Sequence, residues 1–479
     1  MAVRNVLFVH GYSETSLGAY YRFPLLLSQA GLNVQPIVLS AFDSLDDQIS
    51  ISDLAAALDD HISSLERLQL GWDTATSAIV CHSTGALIAR RWMLDRIQAG
   101  NDHIPSHLIS MAGANHGSTL AQAGKSVLGY LQKLLQKHIL SVGARVLADL
   151  DYGSDFLLRL NEEWLKARND PASSLSSRYC FSMGGDWIGS DPTMELYWGT
   201  HEFGSDNTVR ISGANLNYRM LVANEPGQPD LRVLAPATPT PHIVLHGYSH
   251  FGDDSGILGR AKDASDPAFA RVLQALAVST PEQYHAVGSD WAAATQQWID
   301  AATADSARVN DVDSTVVFSI FDRGLEAVED CMIAFLDLEQ VSTVAPLSDR
   351  PVAVSAMRSV SGAINLHSPI HNDVQRASYS FYVNWPKWRT KNHLIHIEAH
   401  SASPRVNYQD LDYQIPPAIG SLVRPNEFTY VRVHMDRNSD DAYALYRWTE
   451  DLNLPGMTWN VDTKFPDLNR LPFQPPNAG

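Results

Sequence analysis

The chain has 479 residues, more than a single hydrophobic core usually spans, and its composition of 45% hydrophobic and 18% charged residues is typical of a folded protein with two domains. A formal net charge of −18 at pH 7 argues against nucleic acids and anionic lipid surfaces as partners, because both are bound through clustered lysine and arginine. The only cysteines, Cys81, Cys180 and Cys331, are too few for a disulfide framework and favour a reducing compartment.

The first residues predict neither export nor membrane insertion. Met-Ala-Val-Arg-Asn leads directly into an apolar run at 6–9, without the long apolar core and cleavage site of a secretory signal. No stretch approaches the ~20 apolar residues that a membrane-spanning helix needs. We therefore expect a cytoplasmic protein that at most touches a lipid surface.

Over residues 1–304, short apolar runs alternate with helical patterns, which is typical of a parallel sheet covered by helices on both faces. One helix is predicted to begin near Ser52-Asp53, and another spans Gly85–Ala99 and stops at Gly100. The predicted strands are Val6–Val9, Val34–Leu39, Ala78–Cys81, Leu108–Ala112, Tyr179–Met183 and Ile243–Leu245.

The strongest chemical signal follows the third of these strands. The strand turns through Ser83 directly into a helix, which is the pattern of a nucleophile elbow. Such a turn strains the backbone, presents the hydroxyl at the carboxyl end of the sheet and requires small residues two positions before and after the serine. Gly85 meets this requirement, whereas Cys81 stands where many hydrolases have glycine. Ser83 is the predicted nucleophile.

A second serine has the same local spacing, in Cys180-Phe181-Ser182-Met183-Gly184. Gly185-Asp186 and no helical pattern follow it, whereas the helix after Ser83 has a positive N-terminal end that can stabilise an oxyanion. This difference favours Ser83 over Ser182.

Two further motifs accompany the elbow, His10-Gly11-Tyr12 after the first strand and Ala114-Asn115-His116-Gly117 after the fourth. Together with residues 82–85 they resemble α/β-hydrolase lipases and esterases, in particular bacterial triacylglycerol lipases. The resemblance covers roughly the first 300 residues and implies the α/β-hydrolase fold. It also implies an oxyanion hole formed by the backbone N–H groups of Tyr12 and Thr84. His116 is interpreted as a hydrogen-bonded structural histidine.

Residues 119 to about 170 interrupt the alternation with a long helical insertion that has a broad apolar face. We interpret the insertion as a cap or lid. The alternative is that its helices simply extend the core.

In the fold that the resemblance implies, the acid and then the histidine of a catalytic triad follow the serine. Gly204 to Val209 is similar to the turn that supplies the acid in lipases, which makes Asp206 the expected acid. Asp186 and Asp191 are the alternatives.

The histidine is expected in the loop after strand 243–245. His250 lies in a Ser-His-Phe-Gly turn beyond that strand and is the expected general base, with His246 as the alternative. Ser83, Asp206 and His250 would then form a triad.

After a helix at Trp291–Ala304 and a polar linker at 305–314, the pattern changes to the period-two alternation of half-buried strands. We expect a hydrolase domain over 1–304 and an accessory β-sandwich over 315–479. The predicted strands of this second domain are Thr315–Phe321, Cys331–Leu338, Ser378–Trp385, His393–Ala399 and Phe428–His434.

The second domain has two features that suggest ligands. His396, Glu398 and His400 share one face of a strand and could bind a metal ion, although a solvated sheet face shows the same alternation, and His367 and His371 offer no better site. A set of aromatic residues could form a lipid- or carbohydrate-binding strip or simply pack in the core; they are Tyr379, Tyr382, Trp385 and Trp388.

The expected reaction is the hydrolysis of carboxylic esters of lipid-like acids through an acyl-enzyme, as in lipases and carboxylesterases, with no metal or organic cofactor. Phospholipase or lysophospholipase activity is the alternative, because a triad does not report the leaving group. A third hypothesis is that the protein is hydrolase-like but has lost activity and acts as a binding module or scaffold. The sequence leaves open chain-length and head-group preference, oligomeric state and a structural calcium ion.

Overall fold

A computed structural model describes most of the first 337 residues and shorter parts of the remainder. The described residues are 3–11, 17–37, 46–68, 73–118, 143–187, 203–226, 231–337, 363–364, 370–372, 375, 377–390, 393–401, 406–409, 411–415, 423–439, 459–460 and 465–466.

A six-stranded sheet forms the centre of the molecule, and every neighbouring pair of its strands is parallel. Its order is β2-β1-β3-β4-β5-β8. The bounds are β1 Asn5–Val9, β2 Asn33–Ile37, β3 Ser77–His82, β4 His107–Met111, β5 Tyr179–Gly185 and β8 His242–Leu245. Five of the six strands consist almost entirely of buried residues, as expected for a parallel sheet covered on both faces. The predicted α/β class is confirmed.

Helices cover both faces of this sheet and bury two separate apolar clusters. Their bounds are α1 Phe23–Gln29, α2 Ile51–Arg67, α3 Gly85–Gln98, α4 Ala144–Leu150, α5 Asp155–Asn169, α6 Ile211–Ala214, α7 Pro267–Leu276 and α8 Pro281–Ala304. The helix predicted to begin near Ser52 begins at Ile51 with Ser50 as its N-cap, because the Ser50 side chain accepts from Asp53 N and the Asp53 carboxylate accepts from Ser50 N. None of the described helices is long and apolar enough to cross a membrane.

A second sheet has six strands in the order β11-β12-β9-β16-β6-β7 and is mixed, with β16 parallel to both β6 and β9. Its bounds are β6 Tyr218–Ala223, β7 Arg232–Leu234, β9 Asp313–Asp322, β11 Ile370–His371, β12 Ser378–Asn384 and β16 Phe428–Met435. Two of its strands, β6 and β7, come from the first 304 residues. The second sheet is therefore built from both parts of the chain.

A three-stranded antiparallel sheet, β10-β13-β15, covers one face of the second sheet. The remaining strands form two short pairs; the bounds are β10 Cys331–Asp337, β13 His393–Ala399, β14 Val406–Tyr408, β15 Leu411–Ile415, β17 Arg437–Ser439, β18 Trp459–Asn460 and β19 Phe465–Pro466. Phe335 of β10 packs edge-to-face against Phe318 at 5.9 Å and Phe381 at 5.1 Å between ring centroids. Tyr379 and Trp388 are buried in this C-terminal region, as the core-packing interpretation requires.

The opposite face of the second sheet packs on the helices of the first. Arg90 of α3 donates to Asn161 Oδ1 at 2.7 Å, and Asn161 Nδ2 donates to the Tyr430 hydroxyl at 2.9 Å. His116 Nδ1 lies 2.9 Å from the same hydroxyl. All four side chains are buried, so β16 is joined to α3 and α5 by a buried polar network as well as by apolar contacts.

The described part of the long insertion, residues 143–170, packs where the second sheet meets the helices of the first. Helix α5 buries Leu157, Leu160 and Trp164 in the same apolar cluster as α2 and α3. Helix α5 is therefore a core helix, which agrees with the alternative interpretation that the helices of the insertion extend the core. The lid prediction therefore concerns residues 119–142, which lie outside the described residues.

Because two histidines are buried, we expect the free energy of unfolding to fall in acid. Burial lowers the pKa of His107 to about 4 and that of His242 to about 3, from an ordinary value of 6.5. Both are neutral in the folded state, so the stability that they contribute is complete above pH 6.5 and declines as the pH falls toward 4 and 3. We expect the free energy of unfolding to fall by about 2 kcal/mol per histidine between pH 6.5 and 4.5.

Urea unfolding at a series of pH values measures this slope. His242 Nδ1 lies 2.9 Å from the Ser182 hydroxyl, so His242→Asn keeps a hydrogen-bonding atom in nearly the same place. The variant should show a shallower dependence of stability on pH than the wild type. Equal slopes for the two proteins would contradict the assignment.

Candidate active site

Ser83 occupies the sharp turn between β3 and α3. Its φ is +56°, a left-handed conformation that residues other than glycine rarely adopt. The turn is held by two backbone bonds, in which Ala86 N and Ala114 N both donate to Ser83 O at 3.1 Å. The backbone conformation is the strained elbow that the sequence predicts.

Two glycines allow the backbone to close around this turn. A Cβ on Gly85 would lie 2.5 Å from the carbonyl oxygen of Val9, so the first turn of α3 packs directly on β1. A Cβ on Gly11 would lie 2.7 Å from Ser83 Cβ, 3.0 Å from Ser83 Oγ and 2.9 Å from Thr84 N. Gly11 therefore approaches both the hydroxyl and the first backbone N–H of the helix.

Replacing Gly11 by alanine is expected to lower kcat/KM for ester hydrolysis by about 10²-fold, because the new methyl group must displace Ser83 or Thr84. Gly288→Ala is a matched control on α8, where the added Cβ would lie 3.4 Å from one side-chain atom of Pro241. The control should keep wild-type turnover. A G11A variant with unchanged kcat/KM would show that this close approach has no role in turnover.

Of the two backbone groups predicted to form an oxyanion hole, the structure describes one. Thr84 is the N-cap residue of α3, and its N–H belongs to the end of the helix where backbone donors have no partner within the helix. Tyr12 lies outside the described residues.

Asp206 and His250 form a buried pair. Asp206 Oδ2 lies 2.8 Å from His250 Nδ1, and the exposed fractions of the two residues are 0% and 2%. The other carboxylate oxygen, Oδ1, accepts from Thr208 N at 3.0 Å and Val209 N at 2.7 Å, while His250 N donates to Asp206 O at 2.9 Å. The pair is thus fixed by both side-chain and backbone bonds, with the carboxylate oriented toward the imidazole.

The second ring nitrogen of His250 takes no part in the bond to Asp206. Nε2 is buried and makes no hydrogen bond within the described part of the chain, including to Ser83 Oγ. Catalytic hydrogen bonds are often long without substrate and tighten when substrate binds. His82, the residue before Ser83, has its ring centroid 4.6 Å from that of His250, so the serine turn and the imidazole lie at the same edge of the sheet.

His82 belongs to a row of three rings, with His10 at 4.9 Å on one side and His250 on the other. Burial lowers the pKa of His82 well below its ordinary value, and charge on His250 or His10 would lower it further. Neither of its ring nitrogens has a hydrogen-bond partner among the residues described. His82 has no carboxylate partner among these residues, whereas His250 is paired with Asp206.

The alternative acid and the alternative histidine are bonded to each other. Asp186 Oδ2 lies 2.7 Å from His246 Nδ1, and it also accepts from Trp298 Nε1 at 2.6 Å and from Arg308 at 3.0 Å. His246 is largely exposed. This second pair connects β5, the loop after β8 and α8, whereas Asp191 lies outside the described residues.

Ser182, the second serine with elbow spacing, is fully buried in the middle of β5. Its hydroxyl lies 2.9 Å from His242 Nδ1 and accepts from Leu216 N at 3.3 Å. It is a core serine without access to substrate.

The three residues considered as metal ligands lie close together, with Glu398 Oε2 3.9 Å from His396 Nε2 and Glu398 Oε1 3.4 Å from His400 Nε2. No group of histidine, cysteine, aspartate or glutamate in the described ranges is arranged to hold a metal ion. His367 and the side chain of His371 lie outside them.

Sequence reasoning missed the support of the acid turn. Arg210, four residues after Asp206, forms a buried ion pair with Asp313, at the start of β9. Nothing within 100 residues of Arg210 indicates this partner, because the contact depends on how the two sheets pack. The one local indication is Arg210 itself. A guanidinium that is buried beside the acid turn needs an acidic partner, which must then come from a distant part of the chain.

Neither the family models nor the curated proteins include a match to this chain. Among solved structures, phospholipase PlaB from Legionella pneumophila is similar with a TM-score of 0.78 and 23% identity, over 95% of this chain and 97% of that one. A structure of PlaB in complex with thio-NAD has a TM-score of 0.74 and 23% identity, over 94% and 97% of the two chains. The similarity includes the C-terminal sheets and confirms the α/β-hydrolase fold that the motifs predict.

Proposed function

We propose that the protein hydrolyses carboxylic esters of lipid-like acids, with Ser83 as the nucleophile. The proposal is supported by the buried Asp206–His250 pair, whose imidazole centroid lies 4.6 Å from that of His82, the residue before a serine held at φ +56°. A strained serine, a carboxylate and an imidazole, in this chain order, are the parts of a hydrolase triad.

In the proposed mechanism, His250 Nε2 accepts the Ser83 proton as Oγ attacks the ester carbonyl. Asp206 holds the imidazole in the required tautomer and stabilises the charge that it gains. The oxyanion is bound by the backbone N–H groups of Thr84 and Tyr12, each contributing about 3–4 kcal/mol. His250 then returns the proton to the departing alcohol, and water activated by the same imidazole releases the acid from Ser83.

The substrate class is inferred from the fold and from the surface around the site. A lipase or carboxylesterase is the primary proposal, and a phospholipase or lysophospholipase is the second. The second is favoured by one observation, the similarity to a phospholipase over nearly the whole of both chains. The partner in either case is a lipid or ester.

Exposed aromatic side chains support contact with a lipid surface. Among the described residues, the exposed large aromatics are Tyr21, Trp187, Phe203 and Phe251. Phe251 directly follows His250. The hydroxyl of Tyr21 accepts a hydrogen bond from the backbone N–H of Gly252 at 3.2 Å. Tyrosine and tryptophan rings, which have one polar edge, favour the boundary between water and lipid.

A substrate panel tests the proposal. Purified protein is assayed on p-nitrophenyl esters of increasing acyl length and on mixed micelles of a phosphatidylcholine and a lysophosphatidylcholine. We expect hydrolysis to rise with acyl length, since each buried methylene contributes about 0.8 kcal/mol. Preference for the phospholipids would select the second candidate. Absence of both hydrolysis and reaction with an alkyl fluorophosphonate would refute the proposal and favour a hydrolase-like binding module.

A further inference from the structure

The turn that carries Asp206 is closed on itself. Ser205 and Arg210 form an antiparallel bridge, and Ile211 N donates to Gly204 O at 2.8 Å. These contacts fix the shape of the turn. They do not fix its direction relative to His250, which lies on a separate loop after β8.

Besides the two direct bonds between Asp206 and His250, contacts to the second sheet hold the turn in that direction. The guanidinium of Arg210 pairs with the carboxylate of Asp313 at the first residue of β9, and both side chains are about 95% buried, with exposed fractions of 5% and 4%. The same guanidinium lies over the ring of Tyr382 on β12, 3.7 Å from its centroid. An arginine between a carboxylate and an aromatic face has a single well-defined position.

Two further contacts hold the ends of the turn to the same segment. Before Asp206, Gly204 N donates to Asp311 Oδ1 at 3.3 Å, and a Cβ on Gly204 would lie 2.8 Å from Asp311 O. After it, the hydroxyls of Ser212 and Thr315 are 2.8 Å apart. Residues 311–315 therefore contact the turn on both sides of the acid.

The energetics suggest a role other than overall stability. A buried ion pair loses much of its electrostatic gain to desolvation, and replacing such pairs by apolar residues often leaves stability unchanged. A pair of this kind does impose a defined geometry. Misplacement of a catalytic group by about 1 Å can reduce turnover by 10²-fold.

We infer that Arg210 is a positioning residue whose ion pair with Asp313 sets the Asp206 turn against His250, so that the second sheet takes part in aligning the active site. This inference rests on the proposed function. It assigns to residues 311–315 and 382 a role in turnover, although none of them is expected to touch substrate.

The test compares Arg210→Met, Arg210→Lys and Asp313→Asn with a matched control, Arg432→Met. Arg432 pairs with Glu162 at 3.0 Å and also joins the second sheet to the helices, but it contacts α5 instead of the acid turn. Each protein is reacted with an alkyl fluorophosphonate. The amplitude of the labelling reaction reports the number of competent sites per chain. Its rate constant reports the reactivity of each site, independently of how much of the protein is folded.

For Arg210→Met we expect a labelling rate and kcat lowered by about 10- to 100-fold and KM within about threefold of the wild type. The labelling amplitude should fall only as far as the unpaired Asp313 carboxylate lowers the folded fraction. Asp313→Asn should behave similarly, R210K should recover part of the rate, and R432M should match the wild type.

An Arg210→Met or Asp313→Asn protein that labels at the wild-type rate, with or without a reduced amplitude, would overturn the inference and leave the pair a purely structural role. An equal loss of rate in R432M would overturn it as well. A wild-type protein that is not labelled at Ser83 would refute the proposed function itself, which separates the two failures.

Discussion

Replacing Ser83 by alanine is expected to lower kcat/KM for ester hydrolysis by about 10⁴-fold or more, because the substitution removes the proposed nucleophile that forms the acyl-enzyme. The folded fraction should be unchanged, since Ser83 O, which accepts the two backbone bonds that hold the turn, is retained. Initial rates on the best p-nitrophenyl ester, together with circular dichroism melting curves, measure both quantities.

Ser182→Ala is the control for this substitution, because Ser182 has the same sequence spacing but lies buried against His242. Loss of its hydroxyl should reduce the free energy of unfolding by about 1–2 kcal/mol and leave kcat per folded molecule nearly unchanged. Full turnover in S83A with loss of turnover in S182A would show that the wrong serine has been assigned.

Replacing Asp206 by asparagine is expected to lower kcat by about 10³- to 10⁴-fold with little change in KM. The amide has nearly the same shape, so the turn should persist, but it cannot stabilise a charged imidazole and favours the wrong tautomer of His250. The measurement is steady-state kinetics on the same ester at a pH where the wild type is fully active.

Asp186→Asn is the matched control, because Asp186 is also a buried aspartate bonded to a histidine, His246. Its loss should affect stability, since it accepts from Trp298 and Arg308 as well, while kcat per folded molecule stays within about tenfold of the wild type. If D186N were inactive and D206N active, the acid of the triad would be Asp186.

The sequence was sufficient for features that depend on neighbouring residues. The six strands of the central sheet followed from short apolar runs in the sequence, and the elbow followed from Ser83 and Gly85 in one turn. The buried pair of Asp206 and His250 followed from chain order in a fold that was already identified from motifs. The strands and the elbow have local chemical causes, whereas the pair depends on the order of the motifs along a recognised fold.

Features that depend on distant residues could not be predicted in the same way. Strand β6 pairs with β16 in parallel, and its residues Tyr218–Ala223 are all buried, as are nearly all residues of β9 and β16. The partner of Arg210 is likewise a residue of another sheet. Such contacts are determined by the packing of complete sheets, which no local pattern encodes.

The central claim is that Ser83 reacts with a carbonyl-like centre while His250 and Thr84 N lie next to it. A crystal structure of the wild-type protein after reaction with an alkyl fluorophosphonate tests it directly. We predict phosphorus bonded to Ser83 Oγ, the phosphoryl oxygen within hydrogen-bond distance of Thr84 N, and His250 Nε2 facing the adduct. An adduct on another residue, or His250 turned away from a modified Ser83, would contradict the proposed chemistry.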